Sequence, residues 1–415
     1  MSRFLFVVPP MTDHILPTLS VGRELTARGH QVAWAGHPDV VEDLLPDDAL
    51  LLPVDMAVPR HVRRAMALRP AQGLRGPAAL KFLWEDVLLP LAHSMVPGVR
   101  TAVDEFAPDV LVSDQQALAG AVVGQLLHVP WATTTTTSVE LAHPLGTMPL
   151  VARWIRSLLL DLMIDVGVND DEAVAVDPRF SPQLVVAFTT GALAGSALAG
   201  EGGLPRKSCV CVGPCLDERV ADAPFAWTWL DGRPLVVVAP GRRPGVHRLG
   251  ERFLRVAVEA LAGMDVQAVV VAPPELLPEV PGNVIVTPEE PSSALLALAA
   301  AVVTHGDHGT VGRSLGHGVP LVVVPLHDDQ PIVAQQVVHA DAGVRLRLGR
   351  MHASGLRRAL DTALFDPRLR AGAAKVRDSF ARAGGPRRAA DRIEGLLGTK
   401  TLTAATLQAQ ARESA

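Results

Sequence analysis

Residues 301–333 read AVVTHGDHGTVGRSLGHGVPLVVVPLHDDQPIV, which parses as strand, glycine turn, short helix, strand and acidic loop. Val302, Val303 and Thr304 are β-formers, residues 305–309 are small or polar turn formers, and residues 310–317 carry a helical pattern. Backbone N–H groups at such a helix start point past the strand end and favour an anion, phosphate above all. Residues 321–324 are apolar throughout, as expected of a parallel strand covered on both faces. His327, Asp328, Asp329 and Gln330 follow at the carboxyl edge, where open α/β sheets bind ligands. A diphosphate carrying a polyol suits both loops.

Outward from this unit the same grammar repeats. Residues 4–8, 32–35, 110–112, 132–136 and 185–188 read as strands in a first half. Residues 235–238, 268–271, 284–286, 302–304 and 321–324 do so in a second. Strands alternating with helical patterns imply parallel sheets with right-handed crossovers. Gly213, Pro214, Asp222 and Pro224 break the periodicity, so the expected division is a domain over 1–212, a linker over 213–229 and a domain over 230–398. Residues 386–397, PRRAADRIEGLL, form an amphipathic helix pattern after Gly384-Gly385, and residues 399–415 are expected to be a flexible tail.

Composition narrows the class. A chain of 415 residues holds two domains of about 200, each with its own core. Hydrophobic residues make up 48% and mean hydropathy is +0.26, values of a globular chain rather than a disordered one. The longest apolar run, residues 294–303, is shorter than the ~20 residues that cross a bilayer, and MSRFLFVVPP reads as a first buried strand rather than a signal peptide. A cytoplasmic location without stable membrane insertion is expected. The net charge of −5 gives no reason to expect a nucleic acid partner.

Cys209, Cys211 and Cys215 are the only cysteines. Three thiolates could begin a zinc site, but no nearby fourth ligand completes it, and alternation with Val fits a buried strand. No metal is assigned. Asp47-Asp48 and Asp170-Asp171-Glu172 read as solvated turns rather than a D-x-D metal site, and the spacing of His305, His308, His317 and His327 matches no compact ligand set.

Three separate pieces, His305-Gly306 with Gly309-Thr310, then Gly318-Val319-Pro320, then Asp329-Gln330, resemble the donor loop of the family-1 glycosyltransferases. The likeness is to bacterial enzymes that glycosylate macrolides and other natural products. That family commonly shows H-G-G-x-G-[TS], then G-V-P and a strand, then D-Q. The resemblance implies the GT-B fold, two Rossmann-like α/β domains with parallel sheets facing across a cleft, the last helix crossing back. It implies that His305, Gly306, Gly309 and Thr310, with Gly241 and Arg242, hold a donor diphosphate. Asp329 and Gln330 would hold sugar hydroxyls, and Arg313 and Pro288 the nucleoside. No cofactor is implied; a dTDP- or UDP-sugar is the co-substrate. The chain departs from the pattern at Asp307, in place of the second glycine, at Arg313, where many relatives carry a ribose-binding glutamate, and at Val333. The first turn of the second half, Ala239-Pro240-Gly241-Arg242-Arg243, keeps the glycine but not the usual hydroxyl, and Arg242 reads as a phosphate contact or a surface residue. Residues 286–291, VTPEEP, lack the stacking aromatic.

The first half supplies the chemistry. His14 falls in the expected first strand-to-helix loop, with Pro17 near the helix start; relatives carry G-H-x-x-P there, and their histidine is the general base. His14 and Pro17 keep that spacing, and Asp13 replaces the glycine. A neutral imidazole can take a proton from an acceptor hydroxyl as its oxygen attacks an anomeric carbon. Residues 109–114, DVLVSD, read as a strand ending in Asp114, which either orients the imidazole or caps the next helix. Asp13, Met66, Phe82, Trp84 and Thr136 are candidate acceptor contacts in segments that vary among such enzymes; burial in the core is the competing reading. The expected activity is inverting, metal-independent transfer of a sugar to a small hydrophobic acceptor, with a homodimer as an option. The alternatives are a pseudo-enzyme or accessory protein with impaired donor binding, and a sugar-nucleotide epimerase.

Overall fold

A strand with both faces buried must be apolar along its length, and Leu235–Ala239, with all five side chains buried, is such a strand. The computed structural model describes residues 1–54, 76–137, 141, 148–168, 171, 176–195, 208–216, 225–241, 247–326 and 329–399. Arg3–Val7 (β1), Gln31–Gly36 (β2), Leu50–Pro53 (β3), Val110–Asp114 (β4), Trp131–Thr135 (β5), Val185–Ala187 (β6) and Cys209–Cys211 (β7) form one sheet in the order β3-β2-β1-β4-β5-β6-β7. Leu235–Ala239 (β8), Gln267–Val271 (β9), Val284–Thr287 (β10), Ala299–Thr304 (β11), Leu321–Val323 (β12) and Gly343–Arg345 (β13) form a second, ordered β10-β9-β8-β11-β12-β13. The pairings within both sheets are parallel. The principal helices are Thr12–Ala27 (α1), Leu89–Phe106 (α2), Leu118–Leu126 (α3), Pro149–Val166 (α4), His247–Leu261 (α5), His308–Gly316 (α6), Gln330–His339 (α7), Ala353–Phe365 (α8), Pro367–Ala383 (α9) and Gly385–Glu394 (α10).

Each sheet is covered on both faces. In the first, Phe4, Phe6, Val112 and Ala132 pack with Ile15 and Leu19 of α1 and Ala389 and Ile393 of α10. Leu5, Val7 and Leu111 on the opposite face meet Leu91 and Met95 of α2, Val122 of α3 and Ile155 of α4. In the second, Val236, Val238 and Val270 meet Phe253 and Leu261 of α5 and Leu356 of α8, while Val237, Val302 and Leu321 meet Leu315 of α6, Val333 of α7 and Val376 of α9. Full burial of a Val or Leu side chain contributes about 1.5–3 kcal/mol, so these layers outweigh the local propensities of short strands.

The chain divides into two compact units. The first comprises Met1–Thr189, Ser196–Cys215 and Ala383–Ala415; the second comprises Thr190–Gly195 and Leu216–Arg382. Part of the expected linker is therefore built into the second unit, where Phe225, Trp229 and Leu230 pack against the core. Gln267 Nε2 donates to the Trp229 carbonyl at 2.6 Å and Gln267 Oε1 accepts the Asp231 N–H at 2.7 Å, tying that segment to β9. In the first unit, α10 lies against α1. Arg28, the residue that ends α1, reaches Glu394 at 2.5 Å and Asp391 at 2.7 Å, and His30 Nε2 meets Glu394 at 2.7 Å.

Some elements depart from the sequence expectation. α1 begins at Thr12, so the loop after β1 is short, His14 sits in the first helical turn and Pro17 lies inside the helix. Pro17 has no amide to offer the Asp13 carbonyl, a local defect that the packing of Ile15 and Leu19 outweighs. β7 contains Cys209 and Cys211, both half-buried, whereas the buried Cys215 lies beyond it. β3 and β13, short strands with few buried residues, were not expected. Among the described residues no helix is long and apolar enough to cross a membrane.

Candidate active site

Strand order reverses between β1 and β4 in the first sheet and between β8 and β11 in the second. At such a switch point the loops leaving neighbouring strands run to opposite sides and open a crevice at the carboxyl edge. Both clusters of chemically competent side chains lie at these two points.

In the first unit, His14 follows β1 and Asp114 ends β4. His14 Nδ1 donates to Asp114 Oδ1 at 2.9 Å, and both residues are buried. The same oxygen accepts the Gln116 N–H at 2.9 Å. Burying a carboxylate is costly unless hydrogen bonds compensate, and these two do so at Oδ1. Asp114 Oδ2 is buried with no hydrogen-bond partner. Asp114 does not cap α3, which starts after Ala117 and has no side-chain cap. With Nδ1 carrying the proton, Nε2 is the basic nitrogen of the neutral ring. The helix bearing His14 is held by its neighbours. Trp34 Nε1 donates to Thr18 Oγ1 at 3.0 Å, and a side chain at Gly22 would collide with the Trp34 ring, so α1 lies close on β2.

In the second unit, β11 delivers His305, Gly306 and Asp307. His305 is buried, its Nδ1 donates to the Val324 carbonyl at 2.9 Å, and its ring lies 4.3 Å from that of Phe253. Gly306 has φ +97°, and a Cβ there would stand 2.9 Å from Val323 Cγ1, so both backbone and space require glycine. Asp307 is the N-cap of α6: its Oδ1 accepts the Thr310 N–H at 2.7 Å, and its Oδ2 accepts from the Thr304 hydroxyl at 3.4 Å. The helix thus starts at His308, not at Thr310, and an N–H expected to face an anion is held by the chain's own carboxylate. Gly241, φ +92°, is the residue after β8's loop proline, and a Cβ on it would lie 2.6 Å from Asp307 Oδ2. Thr310 is buried, and Gly309 lies beside the Asp307 carboxylate.

The acidic loop meets the same turn. His308 Nε2 contacts Asp329 Oδ2 at 3.1 Å, linking the start of α6 to that of α7. Sequence reasoning assigned His308 no role, because it occupies the variable position of the turn. Gln330 Oε1 accepts the Leu326 N–H at 2.9 Å and so closes the loop after β12. Arg313 pairs with Glu290 at 2.8 Å, which brings it beside the turn containing Pro288. Pro288 itself is exposed and Val333 is fully buried.

The candidate acceptor residues are less uniform. Asp13 is half-buried in the first turn of α1, Phe82 is half-buried, and Thr136 is buried with a hydroxyl that has no partner. Trp84 is a core residue instead, 1% exposed and packed with α2 and α3, with the Arg179 guanidinium 5.9 Å from its ring. Met66 and Arg242 lie outside the described residues. Among the described residues no group of three or more His, Cys, Asp or Glu side chains is placed to hold a metal ion.

Residues 255–396 match the family profile described as "Erythromycin biosynthesis protein CIII-like, C-terminal domain". The chain is 30% identical over 441 residues to 4'-demethylrebeccamycin synthase of Lentzea aerocolonigenes, covering 95% of this chain and 100% of that protein. It is 29% identical over 424 residues to demethyllactenocin mycarosyltransferase of Streptomyces fradiae, covering 96% and 87%. Among solved structures, the glycotransferase of kitacinnamycin superposes with a TM-score of 0.74 at 26% identity, covering 95% of this chain and 99% of that one.

Proposed function

The chain belongs to the family-1 glycosyltransferases of the GT-B fold, and from that premise we propose that it moves a sugar from a dTDP- or UDP-sugar to a hydroxyl of a small hydrophobic natural product, with inversion and without a metal. The observation that carries the proposal is the 2.9 Å hydrogen bond between His14 and Asp114 at the switch point of the first sheet. His14 Nε2 takes the proton of the acceptor hydroxyl while the oxygen forms a bond to the anomeric carbon. The bond from that carbon to the diphosphate oxygen breaks, and its electron pair leaves with the nucleoside diphosphate. Asp114 keeps the proton on Nδ1 before the step and stabilises the imidazolium after it. Attack opposite the leaving group gives inversion.

The donor side of the proposal draws on the second unit. His305, Gly306, Gly309, Thr310 and Gly241 hold the diphosphate beside the start of α6, Asp329 and Gln330 take the sugar hydroxyls, and the turn at Pro288, with Arg313 paired to its Glu290, faces the nucleoside. His308 adds to this set by holding the Asp329 carboxylate. Asp13, Phe82 and Thr136 line the acceptor side, Trp84 being withdrawn to the core. A relative named for rebeccamycin and another for demethyllactenocin support a natural-product acceptor.

Calorimetric titration with TDP, UDP and GDP tests the donor reading, and no binding to any of the three sinks it. A panel of TDP- and UDP-sugars with aromatic and macrocyclic alcohols then tests transfer, read as nucleoside diphosphate release and by NMR as the anomeric configuration of the product. A product of retained configuration rules out the single-displacement mechanism. The Asp307 cap favours a second reading, a protein whose donor binding is impaired. Titration separates the two.

A further inference from the structure

We infer that Asp307 is a specificity-determining residue of the donor pocket, a built-in anion that a diphosphate must displace from the start of α6. The inference rests on the donor reading above and concerns how that pocket treats charge. A helix start attracts anions because its first N–H groups have no partner within the helix. Here one of them, on Thr310, already donates to Asp307 Oδ1 at 2.7 Å. The other carboxylate oxygen accepts from Thr304 and lies so near Gly241 that a Cβ there would stand 2.6 Å away. The carboxylate therefore lies between the turns that leave β8 and β11, the two strands flanking the switch point.

Two consequences follow for a diphosphate. When it takes the Thr310 N–H it satisfies no new donor, since one anionic acceptor replaces another. While the carboxylate remains close, like charges repel. Both weaken the donor and the departing nucleoside diphosphate alike. Asp307 thus sets a weak diphosphate site that sheds its product readily, and the nucleoside contributes a larger share of recognition than it would beside a glycine.

The test is titration calorimetry of the wild type, Asp307→Asn and Asp307→Gly with TDP, UDP, thymidine and uridine. Asn keeps an N-cap acceptor of the same shape without the charge, and Gly removes both, so a folding defect in one variant leaves the other to report. Both variants are expected to bind the diphosphate about 10- to 100-fold tighter, with no gain for the nucleosides. Unchanged or weaker diphosphate binding in the variants, beside a wild type that does bind, overturns the inference and leaves the donor reading standing. A gain shared by the nucleosides also overturns it, because the effect is then general reshaping rather than charge. Absence of binding by all three proteins removes the donor reading, and this inference with it.

Discussion

His14 and Asp114 are 100 positions apart in sequence and 2.9 Å apart in space, Nδ1 to Oδ1, because β1 and β4 are neighbours at the reversal of strand order. The contact fixes which imidazole nitrogen is basic. His14→Ala removes that nitrogen, and turnover is expected to fall about 100- to 10,000-fold with the fold intact. The check is steady-state turnover beside a circular dichroism spectrum; near-normal turnover means the base is elsewhere.

Asp114→Asn separates orientation from turn formation. An amide oxygen can still accept the Gln116 N–H, so a purely structural carboxylate tolerates the change. An orienting one does not, because the neutral amide oxygen left at that position carries no charge to stabilise the imidazolium. Turnover is expected to drop about 1,000-fold or more while the melting temperature shifts little. Equal activity in the two proteins assigns Asp114 to the turn alone.

Gly306→Ala places a methyl group 2.9 Å from Val323 Cγ1 on a backbone with φ +97°. The expected loss is about 1–3 kcal/mol in urea unfolding, from left-handed strain plus overpacking. A loss near zero shows that the turn relaxes and that its glycine serves something other than shape.

Arg28 joins α1 to α10 through Asp391 and Glu394, and also pairs with Glu24. Arg28→Ala is expected to cost about 1–2 kcal/mol, more than a lone surface pair, because one guanidinium serves several carboxylates. Hydrogen exchange reports it: amides of residues 385–394 should lose protection first. Uniform loss across the first unit contradicts a local role.

His317 is expected to make stability fall in acid. Burial holds its imidazole below the ordinary value of 6.5, and Nε2 meets Ser293 Oγ at 2.9 Å. The unfolded chain therefore takes up a proton at a higher pH than the folded one. Its contribution to stability is complete above pH 6.5 and is lost as pH falls through the folded value. In His317→Asn the drop in melting temperature between pH 7.5 and pH 5 should be smaller than in the wild type. An identical drop means that other groups govern the acid limb.

The alternation of strands and helices was legible because parallel strands buried on both faces read as apolar runs; 235–238, 268–271 and 302–304 all lie within strands. β3 and β13 were not, since an edge strand such as β3 buries little and looks like a loop. His14 was placed in a loop because Pro17 suggested a helix starting later, whereas the packing of Ile15 and Leu19 extends α1 back to Thr12. In the second unit Asp307 and Arg313 read in sequence only as two departures from the family pattern. What sequence does not display is direction: Asp307 turns inward to cap α6, and Arg313 turns outward to Glu290. His308 stayed unread because its partner, Asp329, lies one strand and two loops away.

The core of the first unit takes Phe4 from near one end of the chain and Ala389, Ala390, Ile393 and Leu396 from near the other. A ribosome synthesises the whole second unit, Thr190–Gly195 and Leu216–Arg382, between those two contributions. The second unit thus has its full sequence synthesised while one face of the first sheet still lacks the side chains of α10. Release of the last helix is the step that closes the first unit, so a chain ending before residue 385 keeps Ile15 and Leu19 beside Phe4 and Phe6 but loses Ala389, Ala390, Ile393 and Leu396 from the same cluster.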